Sequence, residues 1–114
     1  MRLDISARAR DDIARALRTS HKTFGPQAVD RYTLLIDQAL ADLCAEPDRT
    51  GVRRHDSDRS DLRLYPLRHS RTRLAPADRV GQPRHLIAFR LSGDTLRVVR
   101  VLDERMDLPA RLRG

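Results

Sequence analysis

The chain has 114 residues and a mass of 13.1 kDa, the size of one ordinary domain, and we predict a single domain over residues 1–114. The lone Cys44 excludes an internal disulfide framework and a cysteine-based zinc cluster, and no apolar stretch approaches the ~20 residues that span a bilayer. With a net charge of +7 and 34% charged residues, the sequence is typical of a soluble cytoplasmic protein, and we expect no metal, cofactor or membrane partner.

The first half of the chain predicts a short strand followed by two helices. Leu3 and Ile5 alternate with polar residues, as in a half-buried strand, and Ser6 can cap the first turn of a helix. Phe24-Gly25-Pro26 ends this helix and begins another, because Gly suits a left-handed C-cap and Pro the first helical position. The second helix carries one apolar stripe, formed by Ala28, Tyr32, Leu35, Ile36, Ala39, Leu40 and Leu43. It ends before Pro47, and so short a link between the helices predicts an antiparallel hairpin.

The second half predicts the sheet that covers this hairpin. We predict strands over residues 62–67, 85–91 and 95–102, polar loops over 48–61 and 68–84, and a short C-terminal helix over 106–113. Ser92-Gly93-Asp94 is a strong hairpin signal, and the last strand is too continuously apolar to lie at an edge. The order of elements predicts an α+β fold, in which the N-terminal strand joins a small, mostly antiparallel sheet and the helical hairpin packs on it.

The excess of positive charge is concentrated in one quarter of the chain. Residues 62–90 hold seven arginines against a single aspartate, a net charge of +6, whereas residues 1–52 are balanced. The seven are Arg63, Arg68, Arg71, Arg73, Arg79, Arg84 and Arg90, here called the basic segment. Because a guanidinium is a permanently charged planar fork that suits carboxylates and phosphates, we predict that the basic segment binds an anionic partner. The alternative is a solvated loop whose charge only keeps the protein soluble.

Several short motifs resemble bacterial toxins of the RelE/ParE superfamily, in particular its ParE-like branch. They are Ser6–Ile13 in the first helix, Phe24-Gly25 through Glu46-Pro47 in the second, Asp61-Leu62-Arg63 and Arg84–Arg90 in the strands, and Val98–Leu108 near the C-terminus. The resemblance covers nearly the whole chain in matching order and spacing. Asp103 departs from the pattern, since the ParE-like branch often has His there, and the loop 68–84 is longer than in the shortest members.

The resemblance implies the toxin of a type II toxin–antitoxin system, with growth arrest and plasmid stabilisation as its consequences. The implied partner is a cognate acidic antitoxin with a ribbon-helix-helix DNA-binding half, whose flexible tail wraps the hairpin and the sheet. The toxin would meet operator DNA only indirectly, through that antitoxin. The implied target is DNA gyrase for the ParE-like branch, and mRNA in the ribosomal decoding site for the RelE-like branch.

The aromatic content favours the gyrase branch. Cleavage of RNA by 2′-OH attack needs a proton shuttle, cations at the phosphate and usually a surface that stacks a base. Residues 66–114 contain no Tyr, and Lys22 is the only lysine. We therefore predict a gyrase poison without catalytic residues, with a ribosome-dependent endoribonuclease as the alternative. A plain nucleic-acid-binding module ranks last, because no groove-reading helix or stacking platform is apparent.

The candidate binding residues come from the charged segment and the helical stripe. For the target or antitoxin we predict the seven arginines of the basic segment together with Arg105, Met106 and Asp107. Tyr32, Leu35 and Leu43 would line an apolar antitoxin groove if the edge of the stripe is exposed. His85 could shuttle protons beside Arg63, Arg90 and Arg105, although a histidine at a strand end is more often structural.

Overall fold

The computed structural model describes residues 1–55, 61–106 and Arg111. In chain order the elements are β1 (Arg2–Ile5), α1 (Ala7–Phe24), α2 (Pro26–Ala45), β2 (Arg53–Arg54), β3 (Arg63–Pro66), β4 (His85–Ser92) and β5 (Thr95–Asp103). The C-terminal helix predicted over 106–113 lies outside the described residues, apart from Met106 and a helical Arg111. Within the described ranges, no helix is both long and apolar enough to cross a membrane.

The helical hairpin forms as its capping residues predict. The Ser6 hydroxyl accepts a hydrogen bond of 3.1 Å from the Ala9 amide and so satisfies one free donor of the first turn of α1. Gly25 joins the two helices at φ +89°, a conformation that side chains disfavour, and its amide bonds the His21 carbonyl. Pro26 is the first residue of α2, and the helix ends at Ala45, just before Pro47.

Five strands form one sheet in the order β1-β5-β4-β3-β2. Neighbouring strands are antiparallel except β1 and β5, which are parallel, and a tight turn at Gly93 joins β4 to β5. The sheet confirms the predicted α+β architecture, including the interior position of β5. The sequence analysis missed β2, because a strand of two residues is too short to show a periodic pattern.

The helices cover one face of the sheet and form the main core with it. Leu35 and Leu43 of α2 meet Tyr65, Phe89 and Val98 there, and all five side chains are fully buried. A smaller cluster contains Leu64 of β3, Leu86 and Ala88 of β4, and Leu62, which precedes β3; Val99 of β5 packs against it. The apolar stripe of α2 is therefore a core element along its centre.

The segment predicted as a long loop over 68–84 contains two short 3-10 helices, Leu67–Arg73 and Pro76–Asp78. Asp42 of α2 is buried and binds the 3-10 helix Leu67–Arg73. Its carboxylate accepts a hydrogen bond of 2.7 Å from Ser70 and forms an ion pair with Arg73 at 2.8 Å. The same carboxylate pairs with Arg49 at 3.0 Å. Charge pairing across the fold thus orders a segment whose composition predicts irregular structure.

Candidate functional site

A cleft of about 910 Å³ lies between the helical hairpin and the adjoining ends of β4 and β5, and we call it the hairpin cleft. Its volume is at the upper end of the range that ligand sites occupy. Helix α1 contributes one face at helical spacing, formed by Asp12, Arg15, Ala16, Thr19, Ser20 and Thr23. The opposite wall comes from residues 79–85 and from the end of β5.

An ion pair between Asp12 of α1 and Arg100 of β5 forms part of the cleft. The Asp12 carboxylate is buried and accepts hydrogen bonds from Arg100 Nε at 2.8 Å and Nη2 at 3.1 Å. It also accepts one from the Val101 amide at 3.0 Å, while Arg100 Nη1 donates to the Arg111 carbonyl at 3.2 Å. The hydrogen bonds to Asp12 raise the pKa of Arg100. This bidentate pair therefore holds α1 against β5 with both charges satisfied.

Tyr32 and His85 form a second link between the hairpin and the sheet. The Tyr32 hydroxyl is hydrogen-bonded to His85 Nδ1, and the two rings meet edge to face with centroids 5.5 Å apart. Burial raises the pKa of Tyr32 and lowers the pKa of His85, the latter partly opposed by the Asp103 carboxylate. Near neutral pH the phenol and the imidazole are therefore both uncharged, and the tautomer of His85 decides which of the two donates the hydrogen bond.

Asp103 and Arg105 form a third pair, at the end of β5. The Asp103 carboxylate accepts hydrogen bonds from Arg105 Nη2 at 2.6 Å and Nε at 3.0 Å. The Arg105 side chain, assisted by its backbone amide, lowers the pKa of Asp103 to about 2. Asp103 thus neutralises the neighbouring cation of its own chain.

The hairpin cleft is strongly cationic even after these pairs are counted. Its described lining includes seven arginines and two aspartates, Asp12 and Asp103, so the net charge is +5. The arginines without a carboxylate partner among the described residues are Arg15, Arg31, Arg79, Arg84 and Arg111. Arg79 donates to the carbonyls of Leu74 and Thr72, and these neutral acceptors leave its charge uncancelled.

The structure brings only part of the predicted set to this cleft. Arg79, Arg84, Arg105 and Met106 line it, whereas Asp107 lies outside the described residues. Four other members of the basic segment pair with carboxylates of their own chain: Arg63 with Asp48, Arg68 with Glu104, Arg73 with Asp42 and Arg90 with Asp61. Arg71 donates to the Val80 carbonyl at 2.6 Å.

The net charge of +6 that the sequence assigns to residues 62–90 therefore does not form one uncompensated cationic surface. The arginines of the basic segment meet carboxylates that are distant in sequence, among them two from the balanced N-terminal half. Counting charge along the chain cannot detect such pairs, because Coulomb interactions depend on distance through space. The binding role of the individual arginines stays a prediction.

The predicted apolar groove requires a second correction. Leu35 and Leu43 have no exposed surface, because the centre of the α2 stripe faces the sheet, so neither can line an open groove. Tyr32 is buried to all but 8% of its surface and reaches the hairpin cleft beside His85. Of these three residues, only Tyr32 belongs to a surface that a partner can approach.

Several residues of the cleft were not predicted from the sequence, among them Arg15, Arg31 and Phe24. Arg15 and Arg31 lie in a segment whose total charge is zero, and Phe24 was interpreted only as the end of a helix. Phe24 is 76% exposed, the only exposed one of the four aromatic residues. A helical projection of α1 would have placed Arg15 on one face with Asp12, Thr19 and Ser20.

A fold with an N-terminal strand, a helical hairpin and a five-stranded sheet matches a known class of bacterial toxin. The family model described as "ParE toxin of type II toxin-antitoxin system, parDE" matches residues 3–108. The chain therefore belongs to the ParE toxin family of type II toxin–antitoxin systems. Membership of this family implies an antitoxin partner.

Two solved structures support the same fold. A chain from "Chromosomal ParDE TA system from P. aeruginosa" is 14% identical with a TM-score of 0.65, covering 90% of this chain and 95% of that one. A "YoeB/ParE toxin from Agrobacterium tumefaciens" is 16% identical with a TM-score of 0.60, covering 90% and 98%. No curated protein sequence matches the chain.

Proposed function

We propose that this ParE-family protein is a toxin that binds DNA gyrase and is neutralised by a cognate acidic antitoxin with a ribbon-helix-helix DNA-binding half. Its action would lie in the cytoplasm, where gyrase and its DNA are found. The consequences would be growth arrest when the antitoxin is lost and, for a plasmid-borne pair, stabilisation of the plasmid.

One observation supports a binding role over catalysis: the groups of the hairpin cleft that could transfer a proton are already hydrogen-bonded or ion-paired to each other. Tyr32 is bonded to His85, Asp12 to Arg100 and Asp103 to Arg105. The remaining titratable groups of the described lining are arginines, which keep their protons at neutral pH. General acid–base catalysis needs a group that is free to exchange a proton near the operating pH.

The net charge of the cleft supports an acidic antitoxin. Five guanidinium groups without carboxylate partners among the described residues repel one another, and a negatively charged tail would relieve this repulsion. The antitoxin tail would therefore approach the hairpin from the cleft side and cover Arg15 and Arg31.

Gyrase supercoiling in the presence of purified toxin tests the proposal. We expect inhibition at micromolar toxin, with accumulation of cleaved DNA, and loss of the inhibition when antitoxin is added. A His85→Gln variant removes the imidazole and keeps a hydrogen-bond acceptor for Tyr32, so it should inhibit as the parent does, because no proton transfer is required. Normal supercoiling at micromolar toxin would contradict the gyrase assignment.

A translating extract tests the endoribonuclease alternative with the same two proteins. Message cleavage by the parent, reduced by about a hundredfold or more in His85→Gln, would establish acid–base chemistry in the cleft in place of a binding role. An intact message with both proteins would leave gyrase as the target.

A further inference from the structure

Phe24 differs from the other side chains of the hairpin cleft because it is a largely exposed aromatic ring. It lies at the end of α1, immediately before Gly25, and is 76% exposed, while Tyr65 and Phe89 are fully buried. An exposed aromatic ring offers a flat face on which a planar group of another molecule can stack. The positive φ of Gly25 makes the chain turn directly after Phe24, at the join between the two helices.

The residues that line the hairpin cleft together with Phe24 include cationic and hydroxyl-bearing side chains. Arg15 and Arg31 come from the two helices, Arg84 comes from the facing wall, and none of them has a carboxylate partner among the described residues. Thr19 and Thr23 follow Arg15 on the same face of α1. Guanidinium and hydroxyl groups are the usual donors to phosphate oxygens in protein–DNA complexes.

We propose that the hairpin cleft binds single-stranded DNA, with the phosphates on Arg15, Arg31 and Arg84 and one base stacked on Phe24. A cationic groove with an aromatic platform is the arrangement by which proteins hold single strands without reading their sequence. An acidic peptide would use the same cations, but it would not need a flat ring.

The choice of DNA over RNA rests on the proposed function, in which the target enzyme acts on DNA. The site itself stands on the side chains of this chain and requires no gyrase. An acidic antitoxin tail that covers the same arginines would then compete with DNA for the cleft, and neutralisation would include displacement of the strand.

Fluorescence anisotropy with a labelled oligothymidylate and the purified toxin tests the site. The double variant Arg15→Gln/Arg31→Gln should bind at least about tenfold more weakly, and its log–log salt slope should be shallower by about 0.7 for each phosphate that the variant no longer neutralises. The matched control is Arg10→Gln/Arg18→Gln, which removes two exposed arginines of α1 that do not line the cleft. Equal weakening by both double variants would show diffuse attraction and overturn the site.

Substitutions at Phe24 separate stacking from apolar contact. Phe24→Leu keeps an apolar side chain without a flat face and should bind about tenfold more weakly, whereas Phe24→Trp should retain binding. Unchanged binding by Phe24→Leu would overturn the stacking role, as would tighter binding of a duplex of the same length. Tighter binding of oligouridylate would overturn the choice of DNA.

The oligonucleotide measurement contains no gyrase, so it tests the DNA-binding site independently of the supercoiling assay. Inhibition of gyrase without oligonucleotide binding would overturn only the cleft assignment. Oligonucleotide binding with normal supercoiling would support the cleft and contradict the gyrase proposal.

Discussion

The protonation state of His85 affects the hydrogen bond to Tyr32 that links the helical hairpin to the sheet. His85 Nδ1 can accept a hydrogen bond from the Tyr32 hydroxyl only while the ring is neutral, because a protonated imidazole has two donors and no acceptor. Burial lowers the pKa of His85 below its ordinary value of 6.5, and the charges around it are Asp103, Arg105, Asp12 and Glu104.

This residue predicts a pH dependence of stability. Because the pKa is lower in the folded state, the unfolded chain binds the proton first as pH falls, and stability is lost below about pH 6.5. We expect the parent to lose more stability than His85→Gln as the pH falls from about 7 to 5, measured by urea unfolding. Parallel stability curves for the two proteins would show that protonation of His85 is not linked to folding.

At the scale of the element, the 3-10 helix Leu67–Arg73 depends on one carboxylate of α2. Asp42 is 4% exposed and accepts from Ser70, which is in turn hydrogen-bonded to buried Tyr65. Arg73 reaches the same carboxylate from the far end of the segment. The element is therefore ordered by a tertiary contact, since its sequence alone predicts a loop.

The substitution Asp42→Ala should remove the contacts that hold the 3-10 helix Leu67–Arg73 to α2. We expect a loss of about 2–3 kcal/mol, smaller than for a fully buried ion pair because the half-exposed Arg73 can turn to water. Urea unfolding gives the magnitude, and amide hydrogen exchange should quicken first in residues 67–73. The control is Asp37→Ala, at an exposed position of the same helix, which should change stability by less than about 0.5 kcal/mol. Equal losses in the two variants would show that Asp42 does not fasten the segment.

At the scale of the whole molecule, internal ion pairs remove much of the charge that the sequence concentrates in the basic segment. Arg63, Arg68, Arg73 and Arg90 each meet a carboxylate of their own chain. The described lining of the hairpin cleft keeps a net charge of +5 and so forms a cationic face of the protein. The proposed acidic antitoxin would therefore be attracted to the cleft over long range.

Charge reversal in the cleft should slow encounter with the antitoxin. We expect Arg15→Glu/Arg31→Glu to reduce the association rate constant by about tenfold at low salt, and the difference from the parent to shrink as salt screens the charges. Stopped-flow mixing with the cognate antitoxin measures both effects. Arg10→Glu/Arg18→Glu makes the same change of net charge outside the cleft, and a comparable slowing in that control would show that overall charge, and not the cleft, directs association.

Much of the fold and part of the site could be predicted from particular residues. Ser6, Gly25 and Pro26 act through local geometry, so the limits of the hairpin were correct, and Gly93 marked the turn between β4 and β5. The Tyr32–His85 pair was not predictable, because it joins residues 53 positions apart.

The sequence by itself determined the two helices, the four longer strands, their order and the family resemblance, because caps, turns and apolar periodicity act over a few neighbouring residues. Only the tertiary structure decided which arginines are neutralised, which leucines are inaccessible and where the cationic face lies. The physical reason is that burial and charge pairing depend on distances through space. Those distances exist only once Asp12, Asp42 and Asp48 have been brought to arginines far along the chain.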